Sequence, residues 1–169
     1  MMASATSLPE SSSEYRVRLA DSADTDPLVR LINAAFIVEK PIIDGDRINA
    51  EKVSALFETG KFLLLEEGSQ LVSCIYAEIK DSRRGYLGLL AVDPNRQKKG
   101  LGRRTVEAAE NFLKQAGCEF AYLRVINVRA ELQPIYERLG YSVTGIAPIP
   151  DTIPLKMPSH FTVMSKTLK

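Results

Sequence analysis

Two apolar periodicities alternate along this chain of 169 residues. Tyr15-Arg-Val-Arg-Leu19 switches between apolar and charged side chains at every step, the period of a strand with one covered face. From Leu28 the period changes. Leu28, Leu31, Ile32, Ala35 and Phe36 fall three and four apart and draw one apolar stripe along a helix. Asp24 and Asp26 offer caps for that helix, Pro27 suits its first turn, and Pro41 and Gly45 interrupt it. Asn49 predicts the cap of a second short helix that ends before Gly60. Residues 62–65 and 71–79 are expected as strands joined by the turn Glu67-Gly68-Ser69. Residues 86–92 are almost wholly apolar, which predicts a central strand covered on both faces. Helical spacing returns from Leu101 through Thr105, Ala108, Phe112 and Leu113, with Gly117 fitting the position just past the helix end. A strand over 120–125, a helix over 128–139 stopped by Gly140, and strands over 141–144 and 160–166 complete the order.

That order predicts a single α/β domain, and the chain is long enough to bury one substantial core. Its 45% hydrophobic content suits a folded globule. Residues 1–13 are Ser-rich and lack the charged and apolar regions of a signal peptide, so they are expected as a disordered leader before a domain over 14–169. Cys74 and Cys118 are too few for a disulfide scaffold, and Cys74, inside an apolar run, is expected as a free buried thiol. One His and two separated Cys give a catalytic zinc little to bind, so no metal is expected. No apolar run approaches the roughly 18 residues of a membrane span, and a cytoplasmic protein without a membrane partner is expected. The net charge of +1 argues against an extended nucleic-acid surface.

The positive charge is instead local. Between the apolar run 86–92 and the helix from Leu101 lies a short turn carrying Arg96, Lys98, Lys99, Gly100 and Gly102, with Arg103 and Arg104 just beyond. Strand, glycine turn, helix is an order that builds an anion site. The first amides of a helix have no partner inside it, and the helix dipole favours a phosphate there. The two glycines carry no Cβ, so a bulky ligand can approach the backbone. The turn lacks both the P-loop pattern and the Gly-x-Gly-x-x-Gly of a dinucleotide fold.

Gln97-Lys-Lys-Gly100-Leu-Gly102 matches [Gln/Arg]-x-x-Gly-x-[Gly/Ala], and Leu90-Ala-Val-Asp-Pro94 stands directly before it. Downstream, Leu123-Arg-Val-Ile-Asn127 precedes Pro134-Ile-Tyr136-Glu-Arg-Leu-Gly140-Tyr141. Together these motifs resemble the GCN5-related N-acetyltransferases, the GNAT family, over roughly residues 14–168. The resemblance implies a single-domain fold: a central mixed, mostly antiparallel sheet with one splayed parallel strand pair, flanked by about four helices. It also implies an acyl-CoA, acetyl-CoA above all, as acyl donor.

On that resemblance the pyrophosphate is expected on the backbone from Gln97 to Gly102, that is Gln97, Lys98, Lys99, Gly100, Leu101 and Gly102, with Arg103 beside them. The pantetheine arm is expected along Leu90, Ala91 and Val92, and Asn127 resembles a position that contacts this arm. Arg96, Lys98 and Lys99 are equal candidates for the adenosine 3′-phosphate. Tyr136 stands where many relatives carry the tyrosine that protonates the departing thiolate; a phenol of ordinary pKa ~10 is protonated at neutral pH. Many relatives carry a Glu or His base on the fourth strand, and residues 86–92 contain neither. His160, the only side chain of near-neutral pKa, is the leading chemical candidate for that base, with Glu78, Glu39 and a water chain as alternatives. The implied activity is direct acetyl transfer to the primary amine of a small molecule or peptide. A non-catalytic acyl-CoA sensor, or a subunit of a protein-acetylating complex, remains the alternative. The expected partners are an acyl-CoA and an unidentified amine, for a monomer or homodimer. Asp44, Asp46 and Asp151 are expected near the acceptor, in the loops of the first helix pair and of the Pro-rich segment 147–159.

Overall fold

A computed structural model describes residues 15–168. The expected leader over 1–13 lies outside the described residues. Seven strands form one sheet: β1 (Tyr15–Leu19), β2 (Lys61–Glu67), β3 (Gln70–Ile79), β4 (Arg84–Val92), β5 (Phe120–Ile126), β6 (Ser142–Pro148) and β7 (His160–Thr167). The sheet order is β1-β2-β3-β4-β5-β7-β6, antiparallel at every junction except β4–β5. Four helices flank it: α1 (Thr25–Ala35), α2 (Ala50–Thr59), α3 (Leu101–Gln115) and α4 (Leu132–Arg138).

Side-chain alternation explains the layers. Phe62 and Leu64 of β2, with Cys74 and Tyr76 of β3, pack under α1 and α2 against Leu28, Ile32 and Val53. Their neighbours Leu63, Ile75 and Ala77 point to the other face, where Val106, Ala109 and Leu113 of α3 cover them. β2 and β3 are therefore nearly continuous apolar runs because both faces are buried. Cys74 and Cys118 are free and buried, and burial pushes the Cys74 thiol up to about 12.

The expectation of full cover fails for β4. Tyr86, Gly88, Leu89, Leu90 and Val92 are only half-buried, because here the sheet opens instead of closing under a helix. β4 and β5 pair only at Arg84–Phe120, Gly85–Ala121 and Tyr86–Tyr122. Beyond Tyr86 the two parallel strands diverge into a cleft. Across the other edge of β4, Cys74 faces Ala91 and Tyr76 faces Gly88, so Leu89 and Leu90 together oppose Ile75 alone. This is a β-bulge, with Leu89 at φ 53, a left-handed conformation that costs a bulky residue about 1–3 kcal/mol.

The last helix is shorter than expected. Residues 128–131 are taken up by turns, with Arg129 N–H donating to Ile126 O at 3.0 Å and Leu132 N–H to Arg129 O at 3.1 Å. Over the mouth of the cleft, the loop after α1 and the Pro-rich loop between β6 and β7 are joined by a single bridge, Ile43 to Leu155. Asp44 N–H donates to Pro154 O at 2.9 Å and Lys156 N–H to Ile42 O at 2.7 Å. Ile42, Ile126 and Ile149 form a small apolar cluster beneath that joint.

Candidate active site

The cleft between β4 and β5 encloses about 520 Å³, within the ordinary range of ligand pockets. Its lower end is the turn before α3. Asp93 accepts from Asn95 N–H, which starts a single 3-10 turn over Pro94–Arg96, and the chain then passes through two left-handed residues, Lys98 at φ 68 and Gly100 at φ 76. Gly100 occupies the N-cap of α3 without any side-chain cap bond. Among the described residues, no acceptor meets the N–H groups of Lys99, Gly100, Leu101, Gly102 or Arg103. These amides, at the positive end of a 15-residue helix, form an anion cradle. Gly102 has no need of glycine for the fold. A Cβ there would meet only Val92 Cγ2, at an ordinary 3.6 Å.

The basic side chains of the turn separate into two groups. Arg96 is committed to the fold through Glu67, Gln70 at 3.0 Å and Asp93 at 3.6 Å. Arg103 pairs with Glu107 at 3.2 Å, and Arg104 lies 5.0 Å over the Tyr15 ring. Lys98 and Lys99 have no carboxylate partner among the described residues and are the cations left for a phosphate.

Of the expected site residues, Leu90, Val92, Gln97, Lys98, Gly100, Leu101, Gly102 and Tyr136 line the cleft. Ala91 is buried under α1, and Lys99 and Arg103 stand outside the lining, on the exposed side of the turn. Asn127 instead holds the His160 main chain with its own main chain and its side-chain amide. Asn127 N–H donates to His160 O at 3.0 Å, and Asn127 Oδ1 accepts from His160 N–H at 2.8 Å. That exchange closes the end of β5 onto the start of β7. The His160 side chain is exposed and does not line the cleft.

Tyr136, on α4, packs its ring edge against Tyr141 with centroids 6.0 Å apart. Its hydroxyl has no hydrogen-bond partner among the described residues, and the residue lines the cleft. Burial pushes the phenol up to about 12, against the opposing pull of Arg129. Tyr141 differs: its hydroxyl donates to Glu110 at 2.7 Å, which commits it to the core.

Of the two carboxylates weighed as bases, Glu39 lines the cleft and Glu78 lines a cavity beside it. Glu78 on β3 lies directly opposite Tyr86 in the β3–β4 ladder, so its side chain shares the face that β4 itself leaves without a base. Tyr76 Oη donates to it at 2.8 Å and Lys80 Nζ at 3.0 Å. Burial pushes its carboxyl up, yet the Lys80 and Tyr76 bonds outweigh that and hold it below the usual range. Glu39 is 5% exposed beside Ile37 and Val38 at 58% and 56%, an inversion of what the run Phe36-Ile-Val-Glu suggests. It accepts from Arg129 Nη1 at 3.0 Å, a pair joining two walls of the cleft. Arg129 and Arg124 escaped sequence reasoning. The available signal was a charge inside the apolar strand 120–126, and a charged residue three positions after it. Asp44 and Asp46 line the cleft, whereas Asp151 does not.

The description "Acetyltransferase (GNAT) family" fits residues 25–141, a span that holds the anion cradle, the splayed strands and Tyr136. The chain belongs to the GNAT acetyltransferase family. A mycothiol acetyltransferase of Propionibacterium freudenreichii subsp. shermanii is 28% identical over 128 residues, covering 72% of this chain and 41% of that protein. This GNAT chain thus spans about two-fifths of the relative's length. The GNAT fold itself is shared with Ard1 of Thermoplasma volcanium, at TM-score 0.75 and 15% identity over 92% of this chain and 99% of that one. A GNAT acetyltransferase of Elizabethkingia anophelis, solved with acetyl-CoA bound, aligns at TM-score 0.70 and 13% identity over 92% and 99%. Among the described residues no helix is long and apolar enough to cross a membrane, and no cluster of three or more His, Cys, Asp or Glu could hold a metal.

Proposed function

We propose that this chain transfers the acetyl group of acetyl-CoA directly to a primary amine. The observation that carries the reading is the set of unpartnered amides at Gly100, Leu101 and Gly102, opening on a cleft between strands that part beyond Tyr86. A pyrophosphate satisfies those amides, and Lys98 and Lys99 supply the mobile positive charge around it. Past the last β4–β5 pair, the cleft-facing main chain of β4 from Leu87 to Val92 has no strand partner. That edge offers donors and acceptors to a pantetheine arm, with the bulge at Leu89 and Leu90 marking where the arm ends. Bound acetyl-CoA supplies an activated thioester.

The residues around that point divide the proton work. Glu78, ionised and held low by Lys80 and Tyr76, receives the incoming ammonium; a carboxylate below its usual range is a weak base, so the proton passes on to water. The free amine nitrogen then bonds to the acyl carbon as the carbon–sulfur bond breaks, and the second proton that the nitrogen sheds on becoming an amide also goes to water. Tyr136, protonated and without another partner, donates its proton to the sulfur that leaves and regains one from solvent.

Turnover is followed by thiol release from acetyl-CoA over a panel of primary amines. Tyr136→Phe is expected to lower kcat about 100-fold or more while acetyl-CoA affinity stays within about twofold. Equal kcat in wild type and variant would remove Tyr136 from the chemistry.

A further inference from the structure

A second cavity of about 420 Å³ adjoins the cleft on the side of α2 and shares Arg47, Lys52, Tyr86, Leu89 and Arg124 with it. Its charge is one-sided. Arg47, Lys52, Lys80 and Arg124 line it, and Glu78 is its sole carboxylate. Lys80 and Glu78 satisfy each other at 3.0 Å. Among the described residues, Arg47, Lys52 and Arg124 have no acidic partner, and Asp46, the nearest acid in sequence to Arg47, pairs with Lys40 at 3.2 Å.

Arg124 is also held in place. Its guanidinium lies 4.8 Å from the Tyr86 ring centre and 5.0 Å from that of Phe161, and Nη2 donates to Tyr86 Oη at 3.2 Å. An arginine fixed between two rings forfeits little side-chain entropy when a ligand arrives, and its planar fork suits carboxylate or phosphate oxygens. Arg47 is likewise positioned, 5.2 Å over the Phe36 ring. Three cations without acidic partners, around a cavity that also holds Glu78, suit a ligand with an amine at one end and negative charge at the other.

We infer that the acceptor is a primary amine bearing an anionic group, carboxylate or phosphate, which Arg124, Arg47 and Lys52 bind while Glu78 receives the amine. This rests on the acetyl-transfer reading for its chemistry but on the second cavity for its selectivity. A cationic polyamine is the acceptor this cavity would reject.

Matched pairs test it: phenylalanine against phenylalaninamide, and O-phosphoethanolamine against ethanolamine, each with acetyl-CoA and thiol release as readout. The anionic member of at least one pair is expected to have the higher kcat/KM by about tenfold or more, and the pair that responds tells carboxylate from phosphate. In Arg124→Gln and Lys52→Gln, KM for that member rises and the ratio within the pair collapses toward one, with Arg124→Lys restoring part of it. Titration calorimetry of the same four amines on CoA-loaded protein separates the two claims. Saturable binding of an anionic probe, weakened about tenfold by Arg124→Gln without any thiol release, upholds the anion site and sinks acetyl transfer. Turnover of the members that lack the anionic group equal to or above their partners, or no binding of either anionic probe, overturns the inference.

Discussion

Gly100 and Gly102 are both glycine for different reasons, and the difference is measurable. Gly100 sits at φ 76, so a side chain there strains the turn by about 1–2 kcal/mol whatever the ligand does. Gly102 is free of that demand; its missing side chain leaves room above the first turn of α3. Gly100→Ala is expected to lower stability by about 1 kcal/mol in urea unfolding, and Gly102→Ala to cost nothing measurable. A loss of more than about 1 kcal/mol in Gly102→Ala would show that the fold, not a ligand, requires the glycine. The spacing of this turn was legible in sequence because helix ends and glycines are local features. The side-chain roles were less so. Arg96 looked equivalent to Lys98 and Lys99, and only the approach of Glu67, Gln70 and Asp93 distinguishes it. His160 has suitable chemistry, yet its place depends on how β7 meets β5, a pairing of residues distant in sequence. Tyr136 has a pH signature of its own. Because burial raises its phenol to about 12, the proposed general acid stays protonated well into alkaline solution, and kcat is expected to show no loss from phenol ionisation below about pH 11. A falling alkaline limb in wild type that is absent in Tyr136→Phe, with a midpoint near 10, would contradict that environment.

The elements follow the periodicities closely, since each is fixed by caps and alternation within a few residues. Asn49 accepts from Lys52 N–H at 2.9 Å and starts α2 where its type predicts. The divergence of β4 from β5 was implied by the family resemblance and not by periodicity, whose apolar run over 86–92 implied full cover of a strand that is half-open. β1 shows how a short edge strand is kept on the sheet. Glu66, buried on β2, accepts from Arg16 at 3.2 Å and from Arg18 at 3.1 and 3.0 Å, and Arg18 reaches Asp24 at 2.7 Å just before α1. The bonds from Arg18 hold the Glu66 and Asp24 carboxyls low despite burial, and the same bonds raise the Arg18 guanidinium. Carboxyls that titrate lower in the folded chain than in the unfolded one stabilise it above the unfolded pKa of about 4, and this contribution drains as pH falls through the lowered values. Glu66→Gln is therefore expected to destabilise by about 2 kcal/mol at pH 7, a figure kept modest because Arg16 and Arg18 are partly exposed, and to converge with wild type as pH falls below about 4. A constant gap from pH 7 to pH 3 would assign the loss to packing instead.

One sheet carries both halves of the site. Parting two parallel strands opens the cleft from α3 to Tyr136, and the bulge of β4 turns its edge toward the cavity under α2. Over both, the bridge from Ile43 to Leu155 joins two loops that are far apart in sequence. Every functional assignment above depends on the cleft receiving an acyl-CoA with its pyrophosphate on the amides before α3. Calorimetric titration of the purified protein with acetyl-CoA, beside a folded Gly102→Glu variant, tests this most directly. Saturable one-to-one binding by wild type, lost when a carboxylate and its bulk occupy the cradle, is the expected result. A well-folded wild type that takes up no acetyl-CoA, or a variant that binds it equally well, would contradict the placement and the roles built on it.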